Sequence, residues 1–221
     1  MKYPALPWTD SQSRVKSTLS NLTRIITAVS QEARRPEIFA HVQPHARATA
    51  RLARCLAASM FADGSCKPTL KEIEFAAHMH DLGKYFIASS ILLKPGAFDE
   101  EERALVSLHP VYGATIVSKF PGTTDAIRNA VLHHHERWDG NGYPDGLTGT
   151  AIPLAARIVS VVDVYTSLRL KRSYKESFSK SRSLAELAVM AGHELDPFVV
   201  EDFLRLMERE QLYINRGRRD R

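Results

Sequence analysis

The segment from Leu154 to Leu168, LAARIVSVVDVYTSL, is apolar almost all round a helical wheel and has Pro153 near its first turn. A helix of this kind is stable only when other elements pack on every side of it, so the chain must wrap a fold around it. The same segment carries Asp163. A lone ionised carboxylate in such a place costs several kcal/mol unless a cation or strong donors compensate it, so Asp163 demands a partner.

The rest of the chain is patterned for helices. Val15, Leu19, Leu22, Ile26 and Val29 recur at alternating four- and three-residue steps, a seam for packing on the domain or on a twin in a homodimer. After Pro44 a helix is predicted from about His45 to Phe61, with Leu52, Leu56 and Met60 on one side. Thr69 with Glu72 resembles a capping box, and Gly83 is placed to stop the helix it opens; Ile73, Ala76, Ala77 and His80 share a face, which turns His80 inward. Asp99 with Glu102 marks another start, on a helix that Pro110 interrupts or bends just after His109. Thr124 opens the next, where Ile127, Val131 and His134 step by four and three, so that His134 faces the core and His135 lies beside it. Ser183 with Glu186 caps a further helix ending near Gly192, and Asp196-Pro197 starts the last. There is no credible strand pairing, internal repeat or low-complexity tract. The expected fold class is all-α, with an N-terminal helical extension over residues 1–35 and one catalytic domain over 36–221.

A hydrophobic share of 44% and a charged share of 25% are those of an ordinary globular protein rather than a disordered one. The most apolar stretch, Ala151 to Leu168, is broken by Arg157 and Asp163, and the opening MKYPALPWTDSQSR lacks the apolar core of a signal peptide. No membrane insertion and a cytoplasmic location are expected. Cys55 and Cys66 form neither a disulfide framework nor a metal knuckle. The net charge of +5 includes the tail residues Arg216, Arg218, Arg219 and Arg221, which read as a solvated terminus; the balance is compatible with an anionic, phosphate-bearing ligand, small or large, and DNA is not an expected partner.

Four inward polar signals then need one explanation: His80-Asp81, His109, His134-His135 and Asp163. A single buried histidine is most simply a hydrogen-bonded core residue. Together, however, these groups would need several separate buried solutions, whereas one shared metal centre satisfies them all. His133 to Gly146, HHHERWDGNGYPDG, adds a glycine-, proline- and aromatic-rich loop directly after the last histidines. His135-Glu136 also begins a string like the HExxH of zinc peptidases, but Asp139 stands where the second histidine belongs.

In HDLGK at His80–Lys84, HP at His109, HHERWDGNGYPDG at His134–Gly146 and IPLAARIVSVVDVY at Ile152–Tyr165, the chain resembles the HD-GYP phosphodiesterases of the HD phosphohydrolase superfamily, over roughly His41 to Lys175. The resemblance implies a helical bundle holding two divalent ions, most simply iron or manganese. Its ligands would be His45, His80, Asp81, His109, His134, His135 and Asp163, with Asp81 bridging the ions. Asp81 and Lys84 would be the catalytic residues. Lys84, Arg172, Lys175 and Tyr143 would hold substrate, and the loop around Tyr143 would shape the pocket mouth or meet a signalling partner. The implied reaction is hydrolysis of cyclic di-GMP, or of a related cyclic GMP-AMP, to a linear dinucleotide, pGpG, and in some members onward to GMP. The alternative is a catalytically silent cyclic di-GMP receptor on the same scaffold.

Departures from the family pattern are few. His41 stands where members holding three metals carry a glutamate, which favours two ions. Thr166-Ser167 replace the usual Asp-Ala, and Ser173 replaces a proline of the basic motif, changes that bear on substrate grip. His78 and His133 match no ligand position and read as structural or as supports behind the ligands.

Overall fold

The computed structural model describes residues 36–219 apart from 63, 66 and 171–176. The predicted extension over 1–35, with its Val15–Val29 seam, lies outside the described residues, as do Arg172, Ser173 and Lys175. Among the described residues the fold is all-α, with nine helices in chain order: α1 (Pro36–Met60), α2 (Leu70–Met79), α3 (Ser89–Leu92), α4 (Glu100–Val106), α5 (His109–Val117), α6 (Asp125–His133), α7 (Leu154–Arg169), α8 (Lys180–Met190) and α9 (Pro197–Arg219). Short 3-10 turns lie at Leu82–Phe86 and Gly149–Ala151, and among the described residues the only strand-like contact is an isolated bridge between Ala191 and Leu195.

Helix α7 is the hub. It packs against α1, α2, α6, α8 and α9, and Ala155, Ala156, Ile158, Val159, Val161, Val162, Tyr165 and Thr166 are all buried along it. Leu56 of α1, Ile73 of α2, Val131 of α6 and Phe203 of α9 complete the core, with the Phe203 ring edge-on to Tyr165 at 5.0 Å.

The caps follow the sequence in most places. Thr69–Glu72 and Asp99–Glu102 form reciprocal capping boxes, and Thr124 caps α6. Three expectations change. Helix α1 begins at Pro36 and runs through Pro44, although a proline in a helix interior costs about 3 kcal/mol. Ile38 and Val42, at most 3% exposed, are buried on the domain side of the extra turns, and this packing overrides the local signal. Helix α8 is capped by Ser179, whose side chain accepts from Arg182 N; Ser183 lies inside the helix, buried, donating to Ser179 O. Gly83 does not stop α2, which ends at Met79, but sits in the 3-10 turn. A methyl group there would meet His109 O at 1.9 Å, so the glycine is required by the close passage of α5.

Candidate metal centre

Three histidines are presented by the same local device. His80 follows the last residue of α2, His109 is the first residue of α5, and His134 follows the last residue of α6. In each, Nδ1 donates to the carbonyl three residues earlier, Ala77, Val106 and Val131 respectively, at 2.7 Å. A carbonyl can only accept, so each Nδ1 carries a proton and each ring turns its Nε2 inward. All three rings are at most 1% exposed.

Two of these Nε2 atoms meet without a donor between them. His109 Nε2 and His134 Nε2 lie 3.2 Å apart. Burial lowers the pKa of both rings, that of His134 far below the ordinary histidine value with help from neighbouring His135 and His80, so neither gains a second proton to bridge the gap near neutral pH. Two lone pairs at that separation call for a cation. His135 completes this trio, its pKa lowered to about 3 by burial and by His109.

The other half is built from α1, the His80–Asp81 corner and α7. His45 Nε2 donates to Asp163 Oδ1 at 2.6 Å, and His80 Nε2 stands 3.6 Å from the same oxygen. Asp81 precedes the 3-10 turn but does not cap it, which leaves its carboxylate to face inward. Its two oxygens point into the two halves, Oδ2 at 3.4 Å from His80 Nε2 and Oδ1 at 3.4 Å from His109 Nε2. Lys84 Nζ donates to Oδ2 at 2.6 Å. Burial pushes the Asp81 pKa up, but His80 and Lys84 outweigh it and hold the group well below the usual carboxylate range. Asp163 is likewise held ionised, its burial outweighed by His45 and His80. His80 is moved the other way: burial is outweighed by Asp81 and Asp163, and its pKa rises.

The residues fit a metal centre by their unmet valences. His80 Nε2 and Asp81 Oδ1 are buried with no hydrogen-bond partner, and the ligand atoms within each of the trios His45–His80–Asp81 and His109–His134–His135 lie within 4.8 Å of one another. The buried Asp81 and the partly buried Asp163 carboxylates both stand close to His80 Nε2, at 3.4 and 3.6 Å, and Lys84 pairs with Asp81, so a further cation is accommodated rather than opposed. The seven side chains that the sequence singled out are thus brought to one place from five helices and a turn. Among the substrate candidates, Lys84 is at the centre and partly exposed. The Tyr143 ring stacks on His135 at 5.0 Å and 23°. His41 lies on α1, but its side chain is outside what the structure describes.

The altered Thr166-Ser167 pair has a visible place. Thr166 Oγ1 is 2.9 Å from Thr49 Oγ1 in the buried α1–α7 contact, one helical turn beyond both His45 and Asp163, and Ser167 Oγ donates to Asp163 Oδ1 at 3.4 Å. Thr166 is buried between helices rather than facing the pocket.

Sequence reasoning missed one cluster beside the centre. His133 is buried, with Nδ1 3.0 Å from Asn129 O and Nε2 2.9 Å from Asp145 Oδ2. The Glu136 carboxylate, 3% exposed as a residue, accepts the backbone N–H groups of Asp145, Gly146 and Leu147 at 2.7, 3.1 and 3.1 Å. A glutamate following the histidines and preceding a glycine-rich turn was the available signal.

The family model described as HD domain matches residues 19–199. The chain belongs to the HD domain family, in its HD-GYP branch. This HD-GYP chain is 43% identical over 143 residues to a cyclic di-GMP phosphodiesterase response regulator, RpfG, of Xanthomonas campestris, a match covering 64% of this chain and 38% of the relative. It is 34% identical over 193 residues to a 3'3'-cGAMP-specific phosphodiesterase of Vibrio cholerae, covering 87% of this chain and 35% of the relative. It therefore spans well under half the length of these relatives. An HD-GYP-type protein of Bdellovibrio bacteriovorus superposes with a TM-score of 0.60 at 21% identity, over 76% of this chain and 52% of that one, and shares the fold. No described helix is long and apolar enough to cross a membrane.

Proposed function

We propose that the chain is a metal-dependent phosphodiesterase that opens a cyclic dinucleotide, cyclic di-GMP or a cyclic GMP-AMP, to the linear product, pGpG in the first case. The observation that carries this reading is the 3.2 Å approach of the His109 and His134 Nε2 atoms, both rings anchored at Nδ1 by a carbonyl, beside the bifacial Asp81 carboxylate, an arrangement that a bound cation makes favourable. His45, His80, Asp81, His109, His134, His135 and Asp163 would hold two divalent ions, iron or manganese by ligand type. When bound, such ions neutralise phosphoryl charge and lower the pKa of a water for attack on phosphorus.

The chain's own residues supply the rest. The carbonyl-anchored histidines keep their tautomers fixed, so no reorganisation is needed when the centre loads. Lys84 neutralises Asp81 and, being partly exposed, can offset charge on an entering phosphate; Arg172, Lys175 and Tyr143 are proposed to share that task. The boundary at residue 35, dimerisation through the Val15–Val29 seam, a partner at the Tyr143 loop, and a cytoplasmic setting belong to the same proposal.

The test is incubation of purified protein with cyclic di-GMP or cyclic GMP-AMP and manganese or ferrous iron, with products separated by chromatography. Linear dinucleotide is expected from the wild type and not from Asp81→Ala. Tight binding without turnover under either metal would overturn the enzyme reading in favour of a receptor.

A further inference from the structure

The atoms of His133, Glu136 and Asp145 lie close enough together to suggest a third ion site. Each is already engaged, however. His133 uses both ring nitrogens, and Glu136 takes three backbone donors, so the cluster is a fully satisfied clamp on the turn at Asp145–Leu147. The question is what the clamp holds.

His135 differs from the other histidines of its half. His109 and His134 are oriented by a hydrogen bond to a carbonyl, but among the described residues the His135 ring makes none. It is held by ring contacts alone: edge-on to His109 at 4.9 Å, tilted on His134 at 4.2 Å, and stacked under Tyr143 at 5.0 Å and 23°. Tyr143 is in turn fixed to the same residue through its backbone, its N–H donating to His135 O at 3.2 Å. The loop is pressed onto the chain beneath it, since a methyl on Gly142 would meet Arg137 N at 2.3 Å and Glu136 Cα at 2.5 Å. From the far side, Trp138 and Asp139 donate backbone bonds to Glu194 O and His193 O.

We infer that Tyr143 is a positioning residue, its ring setting the orientation of His135 for metal ligation, and that the Glu136 carboxylate is the anchor that holds Tyr143 in place. This rests on the metal-centre reading above. The stack substitutes for the carbonyl hydrogen bond that His135 lacks, and outer partners of this kind typically govern metal affinity by roughly 10–100-fold.

The test measures manganese affinity by titration of the metal-free protein, alongside the melting temperature of that metal-free form, in the wild type, Tyr143→Phe, Tyr143→Leu and Glu136→Gln. The expected result is a roughly 10–100-fold weaker affinity in Tyr143→Leu and Glu136→Gln, with Tyr143→Phe, which keeps the ring, within about threefold of the wild type. An unchanged affinity in Tyr143→Leu, or a loss in Tyr143→Phe as large as in Tyr143→Leu, would overturn the inference. A lowered melting temperature with unchanged affinity would also overturn it, since that is the mark of a merely structural loop. Should Tyr143→Leu fail to fold by circular dichroism, Glu136→Gln decides in the same way. A wild type that binds no manganese at all would instead remove the metal centre itself, and is thereby distinguishable.

Discussion

Replacing Gly83 by alanine sets a methyl group 1.9 Å from the carbonyl oxygen of His109, 2.7 Å from Gly113 N and 2.8 Å from His109 C. All three are backbone atoms, so no side chain can swing away. Restoring even a 3.0 Å contact requires about 1.1 Å of movement between the turn that follows Asp81 and the start of α5 that carries His109. Overpacking of this sort costs about 3 kcal/mol, which lowers the melting temperature by roughly 6–12 °C in a chain of this size. The same shift changes the 3.4 Å separation of His109 Nε2 from Asp81 Oδ1, and a misplacement of about 1 Å in a reacting centre is enough for a loss of about 100-fold in turnover. Urea denaturation and turnover of cyclic di-GMP at saturating manganese measure the two effects. A Gly83→Ala protein with wild-type stability and turnover would refute the reasoning that this glycine sets the distance between the two halves of the centre.

Other outcomes follow from the same geometry. In a double-mutant cycle, Thr49→Val and Thr166→Val should each cost about 1 kcal/mol, and the pair should cost less than their sum because both hydroxyls leave together; strict additivity in urea melts would contradict the pairing. Asp196 accepts Arg157 Nη1 at 2.6 Å and caps α9 through Phe198 N at 2.9 Å. Asp196→Ala should therefore lose about 3 kcal/mol and Asp196→Asn, which keeps the cap, roughly half of that, with equal losses counting against a separate role for the ion pair. Manganese at about 100 times its dissociation constant should stabilise the chain by about 2.7 kcal/mol, seen as a rise of roughly 5–10 °C in melting temperature that a chelator reverses; no shift would mean that the metal does not prefer the folded chain.

The legible parts of this fold were those where one local rule coincided with burial. The capping boxes at Thr69 and Asp99 were readable because cap chemistry is short-range, and the inward placement of His80 and His134 followed from helical periodicity. Asp163 announced a partner by its setting, and His45 at 2.6 Å is one. Where tertiary packing outvoted a local signal, the reading shifted: Pro44 suggested a boundary that buried Ile38 and Val42 erased, and Gly83 resembled a helix stop although its cause is the passage of α5, 26 residues later in sequence at His109. The Glu136 clamp left only a faint signal, a glutamate ahead of a glycine-rich turn, for a related reason. Its three partners are backbone donors, whose identity no side chain in the sequence marks.

We propose that side chains from distant helices converge to hold two divalent ions with Asp81 between them. Metal analysis of the purified chain after manganese loading and removal of free ion tests it most directly. The account predicts about two ions per wild-type chain and one or fewer in a folded Asp81→Ala chain. A wild type that retains no ion, or an Asp81→Ala chain that retains as many as the wild type, would contradict it.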